Sequence, residues 1–195
     1  MIVLVGKKRV GKDTIADWLV KNHGYRKVAL ADKLKEVLSN NSNIPLEAFY
    51  EGDRERLDYY EQFVKEVFTK SLIELGLPTE FKIPSQMYSI RTLMQYFGTE
   101  VVQNIDKLFW CKQFPVDEKD VISDVRFEHE LNYFENLGCT TIFVERDIID
   151  NDAHSSEAGL CHSDNDHVIV NNGSLECLYS RIEQILEVEN DRNRT

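Results

Sequence analysis

Residues 2–14, IVLVGKKRVGKDT, constrain the fold more than any other stretch of this 195-residue chain. A short apolar run ends in glycine, the pattern of a buried parallel strand. After it come Gly6, Gly11 and Lys12, and then a segment that sets Ile15, Trp18 and Leu19 on one helical face. Glycine, four residues, glycine and lysine is the spacing of a loop whose backbone N–H groups wrap an anion at a helix N-terminus. A tight turn would account for the two glycines through positive φ, but it gives no role to Lys12. The usual pattern continues with a hydroxyl residue. Here Asp13 takes that place and Thr14 comes one position later.

The rest of the chain repeats the strand–helix alternation. KVAL (27–30) reads as a second strand, and DKLKEVL (32–38) opens a helix with Leu34, Val37 and Leu38 facing inward. The segment from Pro45 to Pro84 is acidic and aromatic, lacks strand-like alternation, and reads as a helical insertion covering one side of a cleft. Residues 89–114 read as a long helical stretch interrupted near Gly98. DVIS (120–123), CTTIFVE (139–145) and HVIV (167–170) are strand candidates. Between the first two, Phe127, Leu131, Phe134 and Leu137 keep helical spacing up to Gly138, and NNGS (171–174) leads into a final helix. The expectation is one α/β domain whose parallel sheet is covered on both faces and binds ligands at the carboxyl ends of its strands.

Charge narrows the ligand. The formal net charge of −11 disfavours a nonspecific grip on DNA or RNA, which needs a basic face. Lys7, Lys8, Arg9 and Lys12 form a basic island inside the glycine loop, as a small anion would require. No apolar run approaches the roughly 20 residues that span a bilayer, and MIVLV is too short for a signal-peptide core, so a cytoplasmic protein with no membrane partner is expected. Four cysteines without a Cys-x-x-Cys pair fit reduced thiols. HSSEAGLCHSDNDH (154–167) matches no usual structural zinc spacing and, within the polar segment 146–166, reads as a closing lid.

Three strand candidates end in chemically loaded residues. The first runs into the glycine loop, another into Asp124 and Arg126, and another into Glu145 and Arg146. Asp124 suits a magnesium ion that keeps much of its water, and Arg126 offers a rigid fork for phosphate. A surface salt bridge is the simpler role for the same pair. Arg91 and Gln95 sit at i and i+4 on one helical face, either to hold a second substrate or as a solvated surface. Together these parts suggest phosphoryl transfer, in which the protein positions reactants and neutralises charge. A phosphate-monoester acceptor, with its second ionisation near ~6, needs no general base. The sequence supplies no evident Ser-His-Asp or Cys-His set.

GKKRVGKDT, RTLMQYFGTE, DKLFW, ISDVRFEHE and HSSE, in this order, resemble the bacteriophage deoxynucleoside monophosphate kinases, within the nucleoside monophosphate kinase group of phosphate-loop proteins. The likeness covers most of the chain, and Gly-Lys-Asp-Thr is the usual loop ending in that family. It implies a three-layer fold with a five-stranded parallel core (1–44, 90–145 and 167–189), a helical monophosphate-binding insertion at 45–89 and a lid at 146–166. It implies ATP and magnesium as cofactors, with Gly6, Lys8, Arg9, Gly11, Lys12, Asp13, Thr14 and Arg146 on the ATP side. Asp13, Thr14 and Asp124 would serve the metal, and Lys12, Arg126 and Asp124 the reaction. Asp32, Lys33, Arg91, Gln95, Arg126 and Glu130 would bind the acceptor. The partners implied are small nucleotides, with a homodimer left open. Two rivals stand beside this expectation. One is a kinase of dephospho-coenzyme A or phosphomevalonate. The other is a GTPase-like switch, which would call for an Asn-Lys-x-Asp segment that the sequence lacks.

Overall fold

A computed structural model describes residues 1–51, 53–147, 160–162 and 166–192. Five strands form one parallel sheet in the order β2-β3-β1-β4-β5: β1 Ile2–Val5, β2 Arg26–Val28, β3 Asp120–Ile122, β4 Thr140–Glu145 and β5 His167–Val170. β1 is the central strand, with Ile2 level with both Val121 and Thr140, and all four of its residues are buried. That is why it reads as an unbroken apolar run rather than an alternating one. α1 (Lys12–His23) leaves β1 through the glycine loop and ends at Gly24.

The chain falls into two compact units. The first comprises residues 1–29 and 114–195 and holds the whole sheet, α1, α6 (Glu128–Asn136) and α7 (Leu175–Arg192). Its core joins Ile2 and Leu4 of β1, Ile15 and Leu19 of α1, Ile142 and Val144 of β4, and Leu178 and Ile182 of α7. Trp18 is only partly buried and stacks on Tyr179 of α7, with ring centroids 5.1 Å apart. β2 is held at its edge position by Arg26, which donates to both carboxylate oxygens of fully buried Asp120 at 2.7 and 2.9 Å. Burial pushes the Asp120 carboxyl up, but the Arg26 guanidinium and the Asp117 amide outweigh it and hold its pKa below the ordinary value.

The second unit, residues 30–113, is helical. It contains α2 (Leu30–Ser42), α3 (Glu61–Glu74), α4 (Ile90–Gln95) and the short α5 (Gln103–Ile105). It therefore takes in the 45–89 stretch expected to be an insertion together with the helices on either side. α2 packs against α3, and the rings of Phe68, Phe97 and Trp110 run on from one another at 4.9 and 6.2 Å.

Two expectations change in detail. The second strand stops at Val28, because Leu30, 5% exposed, already starts the apolar face of α2. Gly98 does not interrupt its helix. It lies within a π-helix, Tyr96–Val102, that continues α4. A Cβ on Gly98 would stand 2.6 Å from Leu34 Cδ1, and the Trp110 indole donates to the Gly98 carbonyl at 3.1 Å. The glycine thus serves close helix packing, and the wider turn keeps the backbone bonded. Most of the segment expected to be a lid, 148–159 and 163–165, lies outside the described residues.

Candidate active site

The glycine loop turns from β1 into α1 by passing three residues through positive φ: Gly6 at 153°, Arg9 at 66° and Gly11 at 111°. At Gly6 a Cβ would stand 2.3 Å from the Val144 carbonyl oxygen, so only glycine lets the loop leave the sheet this close to β4. Gly11 caps α1 without a side-chain hydrogen bond. The first N–H groups of the helix therefore face the loop's concavity without a side-chain acceptor at the cap, the arrangement that favours an anion.

Lys12 is folded back over this loop. Its Nζ donates to the carbonyl oxygens of Gly6 at 2.6 Å and Lys7 at 2.7 Å. A cavity of about 530 Å³ opens beside it, lined by Arg9, Gly11, Lys12, Asp13, Thr14 and Arg146 on one side. Asn171, Gly173, Ser174, Leu175 and Leu178 line the other. Gly6 and Lys8 belong to the loop but not to this wall, and Lys8 points to solvent.

Asp13 faces the neighbouring strand ends. Its Oδ1 lies 3.0 Å from Lys27 Nζ on β2 and accepts from the Ser123 hydroxyl, just past β3, at 3.3 Å. Lys27 also donates to Asp17 at 2.9 Å. Burial pulls the Lys27 ammonium down, but its bonds to Asp17 and Asp13 more than compensate and its pKa lies above the ordinary lysine value.

The turn after β3 places Asp124 half-buried and Arg126 exposed. Glu130, expected among the acceptor contacts, is buried under that turn, with its Oε2 accepting from the backbone N–H groups of Arg126 at 2.9 Å and Phe127 at 3.2 Å. It caps α6 and fixes the backbone that carries Arg126. In the helical unit, Arg91 and Gln95 lie one turn apart on α4. Arg91 pairs with Glu55 at 3.1 Å, Lys33 with Glu36 at 3.5 Å, and Asp32 accepts from Tyr50 at 2.8 Å and Lys35 at 3.2 Å.

Sequence reasoning missed the far wall of the cavity. NNGS reads as a simple turn, yet a polar glycine turn between strand and helix is the same local signal that singled out residues 6–11. Lys27 and Ser123 were also missed, since neither carries a motif. Of the His/Cys segment, His162 lies 3.4 Å from Glu145, and among the described residues no group of three or more His, Cys, Asp or Glu could hold a metal ion.

The sequence matches the family described as Deoxynucleotide monophosphate kinase over residues 1–61 and 55–182. The chain belongs to this family. It is similar to the deoxynucleotide monophosphate kinase of Enterobacteria phage T4, at 31% identity over 96% of this chain and 99% of the relative. It is likewise similar to that of Escherichia phage RB69, at 32% identity over 95% and 99%. The alignment with the phage T4 protein runs over 239 positions, so that relative carries segments this shorter family member lacks. The two stretches of the family match meet at residues 55–61, within the helical unit. The five-stranded parallel α/β core is the fold expected from the sequence. Among the described residues no helix is long and apolar enough to cross a membrane.

Proposed function

We propose that this protein is a deoxynucleoside monophosphate kinase that moves the γ-phosphoryl group of ATP onto the 5′-phosphate of a deoxynucleoside monophosphate. One observation carries the assignment: a chain in this family, similar to its relatives over nearly their full length, places a lysine-bearing glycine loop at the carboxyl end of its central strand beside a 530 Å³ cavity. The same likeness favours this acceptor over dephospho-coenzyme A or phosphomevalonate.

The charge of the cavity wall supports ATP as its ligand. Arg9, Lys12 and Arg146 supply cations along one wall, and the start of α1 supplies backbone N–H groups. Lys12 gives up the carbonyls of Gly6 and Lys7 and neutralises charge on the phosphates, where preorganised cations act in place of covalent chemistry. Asp13, Thr14 and Asp124 are hard oxygen donors of the kind magnesium takes, and this ion is commonly held through one or two carboxylates together with phosphates and water. When bound, magnesium supplies further neutralisation of phosphate charge. Arg126 serves the acceptor phosphate from the turn that Glu130 holds in place. In the helical unit, Arg91 and Gln95 serve the acceptor nucleotide, with Asp32 and Lys33 in support, and Arg91 releases Glu55 to do so. Arg146 closes on ATP from the end of β4.

The decisive experiment is ADP release over a panel of deoxy- and ribonucleoside monophosphates with ATP and magnesium. Turnover with at least one deoxynucleotide is expected. Turnover with dephospho-coenzyme A and with no nucleotide would overturn the assignment.

A further inference from the structure

Asn171, the first residue after β5, joins three parts of the first unit. Its backbone N–H donates to the carbonyl of Glu145, the last residue of β4, at 2.7 Å. Its side-chain amide donates to the carbonyl of Val10, inside the glycine loop, at 2.8 Å. The next residue repeats the device, since Asn172 accepts from the Asp147 N–H at 2.9 Å and donates to the Asp147 carboxylate at 2.7 Å. The turn between β5 and α7 is thus stitched both to the loop and to the exit of β4, where Arg146 stands.

The loop is built around this contact. A Cβ on Gly11 would stand 2.5 Å from Asn171 Nδ2, so Gly11 makes room for the amide as well as supplying its φ of 111°. Val10 is buried. Three of the six residues from Gly6 to Gly11 have positive φ, so no regular strand or helix ladder fixes the loop's peptide planes, and a carbonyl left without a donor there would be costly. In a planar trans peptide the C=O and the following N–H point opposite ways. Holding the Val10 carbonyl against Asn171 therefore turns the Gly11 N–H away from Asn171 and stops that peptide from flipping.

We infer that Asn171 is a positioning residue that holds the phosphate loop in its anion-wrapping shape through the Val10 carbonyl, acting on the donor's phosphates rather than reading its nucleoside. This rests on the loop being the ATP site. The test compares ATP with inorganic tripolyphosphate, which has phosphates and no nucleoside, as ligands of the full-length wild-type protein and of Asn171→Ala and Asn171→Leu. Leucine keeps the volume and lacks the donor, so a fault from lost volume in one variant leaves the other to read. About tenfold weaker binding of both ligands is expected, the scale of one well-placed hydrogen bond, with a matching rise in the KM for ATP and an unchanged KM for the acceptor. Equal affinity of variants and wild type for both ligands would overturn the inference. So would weaker binding of ATP alone, because Asn171 would then be reading the nucleoside. If the wild-type protein binds neither ligand, the loop is not the ATP site, and the functional assignment falls before the inference does.

Discussion

Lys27 Nζ lies 3.0 Å from Asp13 Oδ1, and the Ser123 hydroxyl donates to the same oxygen at 3.3 Å. The aspartate that replaces the usual hydroxyl residue after the loop lysine is therefore braced by the ends of β2 and β3. Asp13 is 79% exposed, and an exposed ion pair contributes only roughly 0.2–1 kcal/mol, so the brace is weak enough for a divalent ion to displace. Lys27→Met should let magnesium reach Asp13 more easily and lower the magnesium concentration for half-maximal turnover a few-fold. Asp13→Asn should raise it by about tenfold or more. A magnesium titration that is the same for Asp13→Asn and wild type would leave Asp13 a purely structural brace.

Lys12 donates to the carbonyls of Gly6 and Lys7 in its own loop, and both acceptors are backbone groups that water can serve in its place. Lys12→Met should therefore fold with a melting temperature within a few degrees of wild type. Its turnover should fall by at least about a hundredfold, the scale of removing one preorganised charge partner from a reacting group. Turnover within about tenfold of wild type would remove Lys12 from the chemistry.

The parts of this molecule that follow from short-range pattern were legible in its sequence. β1 is apolar on both faces, Ile15 and Leu19 recur at helical spacing, and the loop between them has fixed glycine positions, so strand, loop and helix could be placed without coordinates. The last helix is marked by the NNGS turn before it and by Leu178 and Ile182 at helical spacing. What joins distant segments was not legible. Asn171 and Val10 are 161 residues apart, and Ser123 and Asp13 are 110 apart. A side chain that serves another segment's backbone leaves no periodic trace. Glu130 shows the opposite difficulty. The resemblance implies an acceptor contact for it, and nothing in the sequence signals that its carboxylate is buried and accepts from two backbone N–H groups at the start of α6. The bounds of the helical unit, residues 30–113, leave no local mark, since Leu30 ends the apolar run KVAL and Trp110 lies inside the 89–114 helical stretch.

Arg9 holds a φ of 66° with an L side chain, a conformation costing roughly 1–2 kcal/mol relative to the ordinary regions, while glycine gives back part of that through its looser unfolded state. Arg9→Gly should consequently stabilise the protein by up to about 1 kcal/mol, which corresponds to roughly 2–4 °C in melting temperature for a chain of this length. Because Arg9 also lines the cavity, the same change should raise the KM for ATP several-fold. Stability and donor affinity moving in opposite directions is the expected outcome, measured by thermal melts and steady-state kinetics on one preparation. A variant that melts lower than wild type would mean that the Arg9 side chain contributes more to the fold than its backbone strain costs.

Glu130 gives a pH signature. Burial pushes its carboxyl up and Asp124 adds to this. The backbone donors of Arg126 and Phe127 and the nearby His129 pull it down, and the balance leaves its pKa above the ordinary glutamate value. A carboxyl that holds its proton more tightly in the fold than in the unfolded chain contributes stability that is complete below the unfolded pKa of ~4.3. That contribution is lost as pH rises through the folded value. Glu130→Gln keeps a carbonyl oxygen for the two backbone N–H groups and has no charge to bury. The melting temperature of this variant relative to wild type should therefore be higher at pH 7 than at pH 4, by roughly 2–4 °C for each kcal/mol involved, and the advantage should close as the wild-type carboxyl takes up its proton. A glutamine variant that instead loses ground at neutral pH and recovers in acid would show that the ionised carboxylate, held by the two amides, is the form the α6 cap requires.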